Sequence, residues 1–217
     1  MLVLDRARGL LCERGGGRCF DPAQRRWHPG EPGGGEPLSA VAAATWLQRQ
    51  SGHPLRQPIG VIGPSDATEA QLAAAAAVGR GLGAMGLTIV CGGRGGVMEA
   101  VCRGAVASGG LTVGLLPGID CGAANPFVTV PLATGIGEAR NALIARAAYC
   151  LVAIGDNYGT LSEVALGLQF GRRVIGLAGA AQVAGVHHVA TAEAAVECVA
   201  RLVLALDEPA PSTRMNS

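Results

Sequence analysis

An arginine and a glutamate stand where the sequence calls for apolar residues. With Ile136–Ala148 read as a helix at about 100° per residue, Arg140 shares the stripe of Ile136, Leu143, Ile144 and Ala147. Glu163 falls in the same way with Leu166, Gly167 and Phe170 of the following helix. A buried charge without a partner costs several kcal/mol, so each residue needs a counter-charge or a polar cavity. Two readings follow: an ion pair tying neighbouring helices, or two groups at the rim of a ligand pocket. The second is preferred, because both residues sit near helix N-termini on one side of the expected sheet, and perturbed charges cluster at functional sites.

The elements that must position them are two strand-glycine-helix junctions. In LVAIGDNYGTLSE (Leu151–Glu163) a strand ends at Ile154, and residues 155–159 are small, polar or tolerant of positive φ. Thr160 is expected to cap a helix whose unpaired N–H groups attract an anion, and Asn157 is expected to tolerate the left-handed region. In LTIVCGGRGGVMEA (Leu87–Ala100) four glycines bracket Arg94. Together the junctions predict one shared, phosphate-sized pocket, with phosphate docked at the helices beginning near Gly96 and Thr160. Tyr158 is the aromatic placed to meet a ligand ring. Asp156 puts a negative charge near the helix start and weakens anion binding unless it turns away.

Strand and helix patterns alternate from Ile59 to Leu206. Strands are expected at Ile59–Ile62, Leu87–Cys91, Leu111–Leu116, Phe127–Val130, Cys150–Ile154, Arg173–Leu177 and Val186–Val189. Helices are expected at Asp66–Met85, Gly96–Ser108, Ile136–Ala148, Thr160–Phe170 and Ala192–Leu206. The fold class is α/β: a doubly wound, mainly parallel, Rossmann-like sheet with helices on both faces, binding its ligand beyond the carboxyl ends of the strands. Three segments are expected: an N-terminal extension over 1–57 (hairpin Gly9–Cys12 with Arg18–Phe20, then helix Leu38–Gln50), a ligand-binding domain over 58–207, and a flexible tail over 208–217. Trp27 and Trp46 are expected to pack the extension onto the main domain.

Composition removes several classes. All 17 basic residues are arginine, so neither a Schiff-base lysine nor a P-loop lysine is available. GxGxxG is absent from the first βα turn, Gly60–Ser65, which argues against a dinucleotide fingerprint. A formal charge of +1 without a basic run argues against nucleic acid, and no apolar run is long enough to span a bilayer. The segment MLVLDRARGL lacks a signal-peptide core, so a cytoplasmic location is expected. The seven cysteines show no CxxC spacing and most are read as small buried hydrophobes, with neither a disulfide frame nor a zinc site indicated. His187 and His188 have no partner at metal-binding spacing, and no metal is expected.

GGRGGVMEAVCRGA (Gly92–Ala105), ANPFV (Ala124–Val128), TGIGEARNALI (Thr134–Ile144) and GDNYGTLSEVALGLQFGRRVIGL (Gly155–Leu177) resemble the superfamily of Lonely Guy phosphoribohydrolases and molybdenum cofactor carrier proteins. The resemblance runs from Ile59 to Leu177 and is closest to the carrier branch. Members were long mislabelled lysine decarboxylases, an activity the missing lysine already argues against. The hydrolase signature PGGxGTxxE falls on Gly155–Glu163, keeping Gly159, Thr160 and Glu163 but replacing Pro-Gly-Gly by Gly155-Asp156-Asn157. Its Glu-Arg-Lys segment becomes Ala139-Arg140-Asn141, so the implied catalytic pair, Arg140 and Glu163, is retained.

Junctions and resemblance together give a ligand-binding set of Gly63, Pro64, Ser65, Gly92, Gly93, Arg94, Gly95, Gly96, Met98, Thr134, Arg140, Asn141, Asp156, Asn157, Tyr158, Gly159, Thr160 and Glu163. A carrier would hold a phosphorylated pterin or nucleotide without turnover, through Arg94, Arg140 and main-chain amides. A hydrolase would cleave the N-glycosyl bond of a nucleoside 5′-monophosphate, with Glu163 stabilising charge on the ribose and Glu138 or Glu99 as candidate acids. A third reading is a structural protein whose pocket Asp156 blocks. The carrier is preferred. No cofactor is required, the candidate ligands are molybdenum cofactor and a nucleoside monophosphate, and the resemblance implies a homo-oligomer.

Overall fold

Short apolar runs, several of them ended by a glycine, pair in parallel across the larger part of the protein. A computed structural model describes residues 1–31 and 33–207, which divide into two units: Met1–Leu55 with the chain from Glu197 onward, and Arg56–Val196. The expected tail at 208–217 lies outside the described residues.

In the smaller unit β1 (Leu2–Asp5), β2 (Leu10–Glu13), β3 (Arg18–Asp21), β4 (Arg26–Pro29) and β5 (Glu36–Leu38) form an antiparallel sheet in the order β4-β3-β2-β1-β5, followed by α1 (Ala40–Arg49). The expected hairpin exists, but within a five-stranded sheet. Strands this short show too few residues for their alternation to be read, whereas their turns carried a signal: Asp5 accepts from the Arg8 N–H, and Asp21 from those of Ala23 and Gln24. Register sets one buried row of Leu4, Leu11, Phe20 and Trp27 on one face. Trp27 donates its indole N–H to the Leu204 carbonyl, 2.7 Å away, so it packs inside this unit. The opposite face brings Cys12 against Cys19, where they form a disulfide. This corrects the expectation that no disulfide is indicated: cross-strand register, not spacing along the chain, brings the pair together.

In the larger unit β6 (Ile59–Ile62), β7 (Ile89–Cys91), β8 (Thr112–Leu116), β9 (Val130–Ala133), β10 (Cys150–Ile154), β11 (Arg173–Leu177) and β12 (Val186–His188) form a sheet in the order β12-β11-β10-β6-β7-β8-β9, parallel throughout. With α2 (Glu69–Met85), α3 (Val97–Ala107), α4 (Asn141–Ala147) and α5 (Tyr158–Gln169), this is the expected α/β architecture. The last helix, α6 (Ala192–Val203), is cut by the unit boundary, so the division differs from the 58–207 domain read in the sequence. Strand order reverses between β6 and β10, and their carboxyl ends define the ligand-binding crevice of such sheets. Thr68 caps α2 with a reciprocal Gln71 box, and Gly86 in the left-handed region ends it.

Two elements differ from expectation. The ninth strand begins at Val130, because the Asn125 side chain accepts from the Phe127 N–H and holds residues 125–128 in a turn. The expected helix over 136–148 is a 3-10 turn, Gly137–Arg140, leading into a shorter α4. Ile136, Leu143 and Ala147 are therefore exposed, while Arg140 and Ile144 are buried. A single 100° wheel does not describe a segment that changes helix type. Among the described residues no helix is long and apolar enough to cross a membrane.

Candidate functional site

The two junctions resolve differently. After β10, Asn157 has extended backbone (φ −161°, ψ 176°) and its side chain accepts from the Thr160 N–H at 2.7 Å, so it caps α5. Thr160 is therefore inside the helix rather than its cap, and Asn157 is not left-handed. The other first-turn N–H groups have no partner within the helix. After β7, the start of α3 is covered by protein: the Val97 N–H donates to the Pro64 carbonyl at 3.1 Å. A Cβ on Gly96, at φ +68°, would collide with the carbonyl oxygens of Pro64 and Ser65.

Between them lies a cavity of about 430 Å³ lined by the ends of β6 and β7, the turn before α4, and the first turns of α5. Of the expected set, Gly63, Ser65, Gly92, Arg94, Met98, Arg140, Asn141, Asn157, Tyr158, Gly159, Thr160 and Glu163 line it. Pro64, Gly93, Gly95, Gly96, Thr134 and Asp156 are not among its lining residues. Gly96 instead lines a separate cavity of about 290 Å³ with Glu99 and Arg103. The Thr134 hydroxyl is spent on the Leu116 carbonyl, and Asp156 is exposed. Ile62, Ser162 and Glu138 also line the cavity. Ile62 was legible as the residue ending a strand beside Gly63. Glu138 was singled out in the sequence only as a candidate acid for a hydrolase, and Ser162 gave no signal beyond its neighbours.

Arg140 is the buried centre, with its side chain 5% exposed. Gly92 permits this, because a Cβ there would lie 2.7 Å from Arg140 Nη2. Nη1 donates to Asn141 Oδ1 and lies 3.7 Å from Glu163 Oε1, Nη2 lies 3.5 Å from Glu138 Oε2, and Nε is buried without a hydrogen-bond partner. Asn141 Nδ2 donates to Ser162 Oγ (3.2 Å), which donates to the Gly159 carbonyl (2.7 Å), tying α4 to the α5 N-terminus. Thr160 Oγ1 is a second buried polar atom without a partner. Burial pushes the Glu163 carboxyl up to about 8, outweighing Arg140, with Glu138 adding to the rise. Arg94 Nη1 donates to Glu138 Oε1 at 2.9 Å, while Asn125 holds the Arg94 carbonyl from beneath. Tyr158 stands at the rim, 93% exposed.

Cys91 and Cys102 lie beneath the first junction with sulfurs 3.6 Å apart, and the Gly93 N–H donates to Cys91 Sγ; neither lines the cavity. His187 and His188 occupy β12, and Cys121 is exposed.

Residues 56–203 match the model of the SLOG cluster4 family. An uncharacterized protein of Archaeoglobus fulgidus is 38% identical over 146 residues, 67% of this chain and 96% of that protein. The molybdenum cofactor binding protein of Rippkaea orientalis is similar at 32% identity and a TM-score of 0.65, over 69% of this chain and 99% of that one. The molybdenum cofactor carrier protein of Chlamydomonas reinhardtii is similar at 35% identity and a TM-score of 0.63, over 68% and 99%.

Proposed function

This chain belongs to the SLOG cluster4 family, and from that premise we propose that it is a carrier-type protein that binds a phosphomonoester attached to a planar ring, with the phosphorylated pterin of molybdenum cofactor as cargo. The observation that carries the reading is Arg140, a buried guanidinium in the cavity wall whose Nε has no protein acceptor. A buried donor left unpaired is costly, and a ligand oxygen relieves the cost.

Several features support the same class. A volume of about 430 Å³ is within the range of roughly 300–1,000 Å³ usual for small-molecule sites. With Glu163 pushed up to about 8, its carboxyl is mostly protonated at neutral pH, so among the charged lining residues Arg94 and Arg140 face the single charge of Glu138. Such a wall favours an anion. First-turn N–H groups of α5 add the partial positive charge of a helix start. Tyr158 offers a face to the ring. Asp156, exposed and not among the lining residues, speaks against a blocked cavity.

One observation favours a second reading. Arg140 and Glu163, the pair a phosphoribohydrolase would use, do meet in the cavity. That chemistry needs the Glu163 carboxylate, so a hydrolase built on it would gain rate as pH rises through about 8. The two readings part in one experiment: mass spectrometry of the small molecule released when the purified protein is denatured, run beside an assay for free base released from AMP. An intact phosphorylated pterin and no base release is the expected result. Base release that rises with pH and is abolished by Glu163→Gln would replace the carrier with the hydrolase.

On the carrier reading the protein needs no resident cofactor or metal, does not act on nucleic acid or membranes, and works as a cytoplasmic homo-oligomer. A monomer in sedimentation would remove the last element.

A further inference from the structure

We propose that Glu138 occupies the anion subsite of the cavity as an internal placeholder, and that the ligand's phosphate binds by displacing it from Arg94 and Arg140. The inference rests on the phosphate-binding reading and deepens it by naming the subsite and the ionic form it selects.

The Glu138 carboxylate bridges two arginines from different segments, Arg94 of the β7–α3 junction and Arg140 of the turn before α4. Oε1 is 2.9 Å from Arg94 Nη1, and Oε2 is 3.5 Å from Arg140 Nη2. Two guanidiniums converging on two oxygens of one group is the arrangement in which they would grip two oxygens of a phosphate. The three parts differ in freedom. Arg140 is fixed, with its side chain 5% exposed and held by Asn141 and Glu163. Glu138 is 65% exposed and follows two glycines at positive φ, Gly135 (+68°) and Gly137 (+62°), the latter with open space where a Cβ would stand. Arg94, 46% exposed, sits in the glycine turn and can follow the ligand. An ion pair this exposed is weak, so the carboxylate can leave at small cost.

Charge then sets selectivity. A phosphomonoester carries about −1.5 to −2 at neutral pH, more than the single charge it would replace, and gains by the exchange. A phosphodiester carries one charge and gains nothing. Glu138 is thus a specificity-determining residue that favours a terminal phosphate over a diester, and on release it returns to the arginines.

Calorimetric titration of the full chain at pH 7 with AMP, and with cyclic 3′,5′-AMP as the diester probe, tests this. Glu138→Gln keeps the shape and removes the competing charge. The account expects AMP to bind the variant roughly three- to tenfold more tightly than wild type, and the preference for AMP over the diester to shrink. In an Arg94→Ala background the same substitution should give a smaller gain, because one arm of the bridge is gone. AMP binding by wild type that is unchanged or weakened in Glu138→Gln would overturn the placeholder alone. If AMP binds neither protein, the same comparison is read with a pterin monophosphate, and binding of that by neither protein would overturn the placeholder together with the phosphate reading.

Discussion

The β7–α3 and β10–α5 junctions look alike in sequence, each a strand running through glycines into a helix, yet only the second leaves its helix start free for a ligand. At α3 the Pro64 and Ser65 carbonyls already cover the N-terminus, and Gly96 is there to let them approach. At α5 the cap is a single side chain, Asn157, and the remaining amides border the cavity. Glycine beside a helix start therefore has two distinct uses, closing the backbone against itself or opening it to an anion. What separates them is which strand's neighbours arrive from elsewhere in the chain.

Substitution at the two glycines should break the resemblance most sharply. Gly96→Ala places a Cβ into two carbonyls at a positive φ and is expected to cost more than about 3 kcal/mol of stability. Gly159→Ala meets only Asn157 Oδ1, 3.3 Å away, and is expected to stay within about 1 kcal/mol, with weakened ligand binding as its main effect. Urea unfolding of both variants gives the values, and similar costs would mean that the junctions are not different after all.

Next in size is the charge at the centre. Arg140→Ala should weaken phosphate binding by about 1.5–3 kcal/mol, the range for a charge-assisted contact, whereas Asn157→Ala should cost about 1 kcal/mol of stability through its cap. Calorimetry and denaturation together separate the two. A loss of affinity confined to Asn157→Ala would shift the anion site from the arginine to the helix end.

The pH response sharpens the role of Glu163. Its folded form holds a proton up to about 8, while the unfolded carboxyl releases it near the ordinary 4.5. The folded state therefore binds more protons between these values, and this group's contribution makes stability fall as pH rises through that window, by at most about 1.4 kcal/mol per unit. Glu163→Gln should flatten the fall when unfolding is followed at several pH values. A slope that survives the substitution would assign the effect to another group. The smallest effect is expected at Asp156→Asn, which should change phosphate affinity by less than about 0.5 kcal/mol, since that side chain is exposed and away from the cavity lining. A clear gain in affinity would show that Asp156 does oppose the anion.

Much of the larger unit was legible because buried parallel strands are short apolar runs that here end at a glycine, as in Ile59–Ile62 before Gly63 and Cys150–Ile154 before Gly155. Arg140 is buried, as a charge set among apolar residues indicates, but not on the stripe of one continuous helix, since Gly137–Arg140 is a 3-10 turn. The sheet of the smaller unit and its Cys12–Cys19 disulfide were not legible, because both depend on register between strands of three or four residues. Glu138 was read only as a candidate acid, and its pairing with the two arginines escaped for a similar reason. Its place between Arg94 and Arg140 comes from two turns that meet only in the folded chain.

The central claim, that the cavity at the β10–α5 junction binds a phosphorylated ligand through Arg140, is met most directly by calorimetry of wild type and Arg140→Ala with matched pairs: AMP and adenosine, and a pterin monophosphate and its dephosphorylated form. The account predicts that wild type binds at least one phosphorylated member clearly more tightly than its partner, and that Arg140→Ala abolishes the difference. Equal affinity for both members of each pair, or a difference that persists in Arg140→Ala, would contradict it.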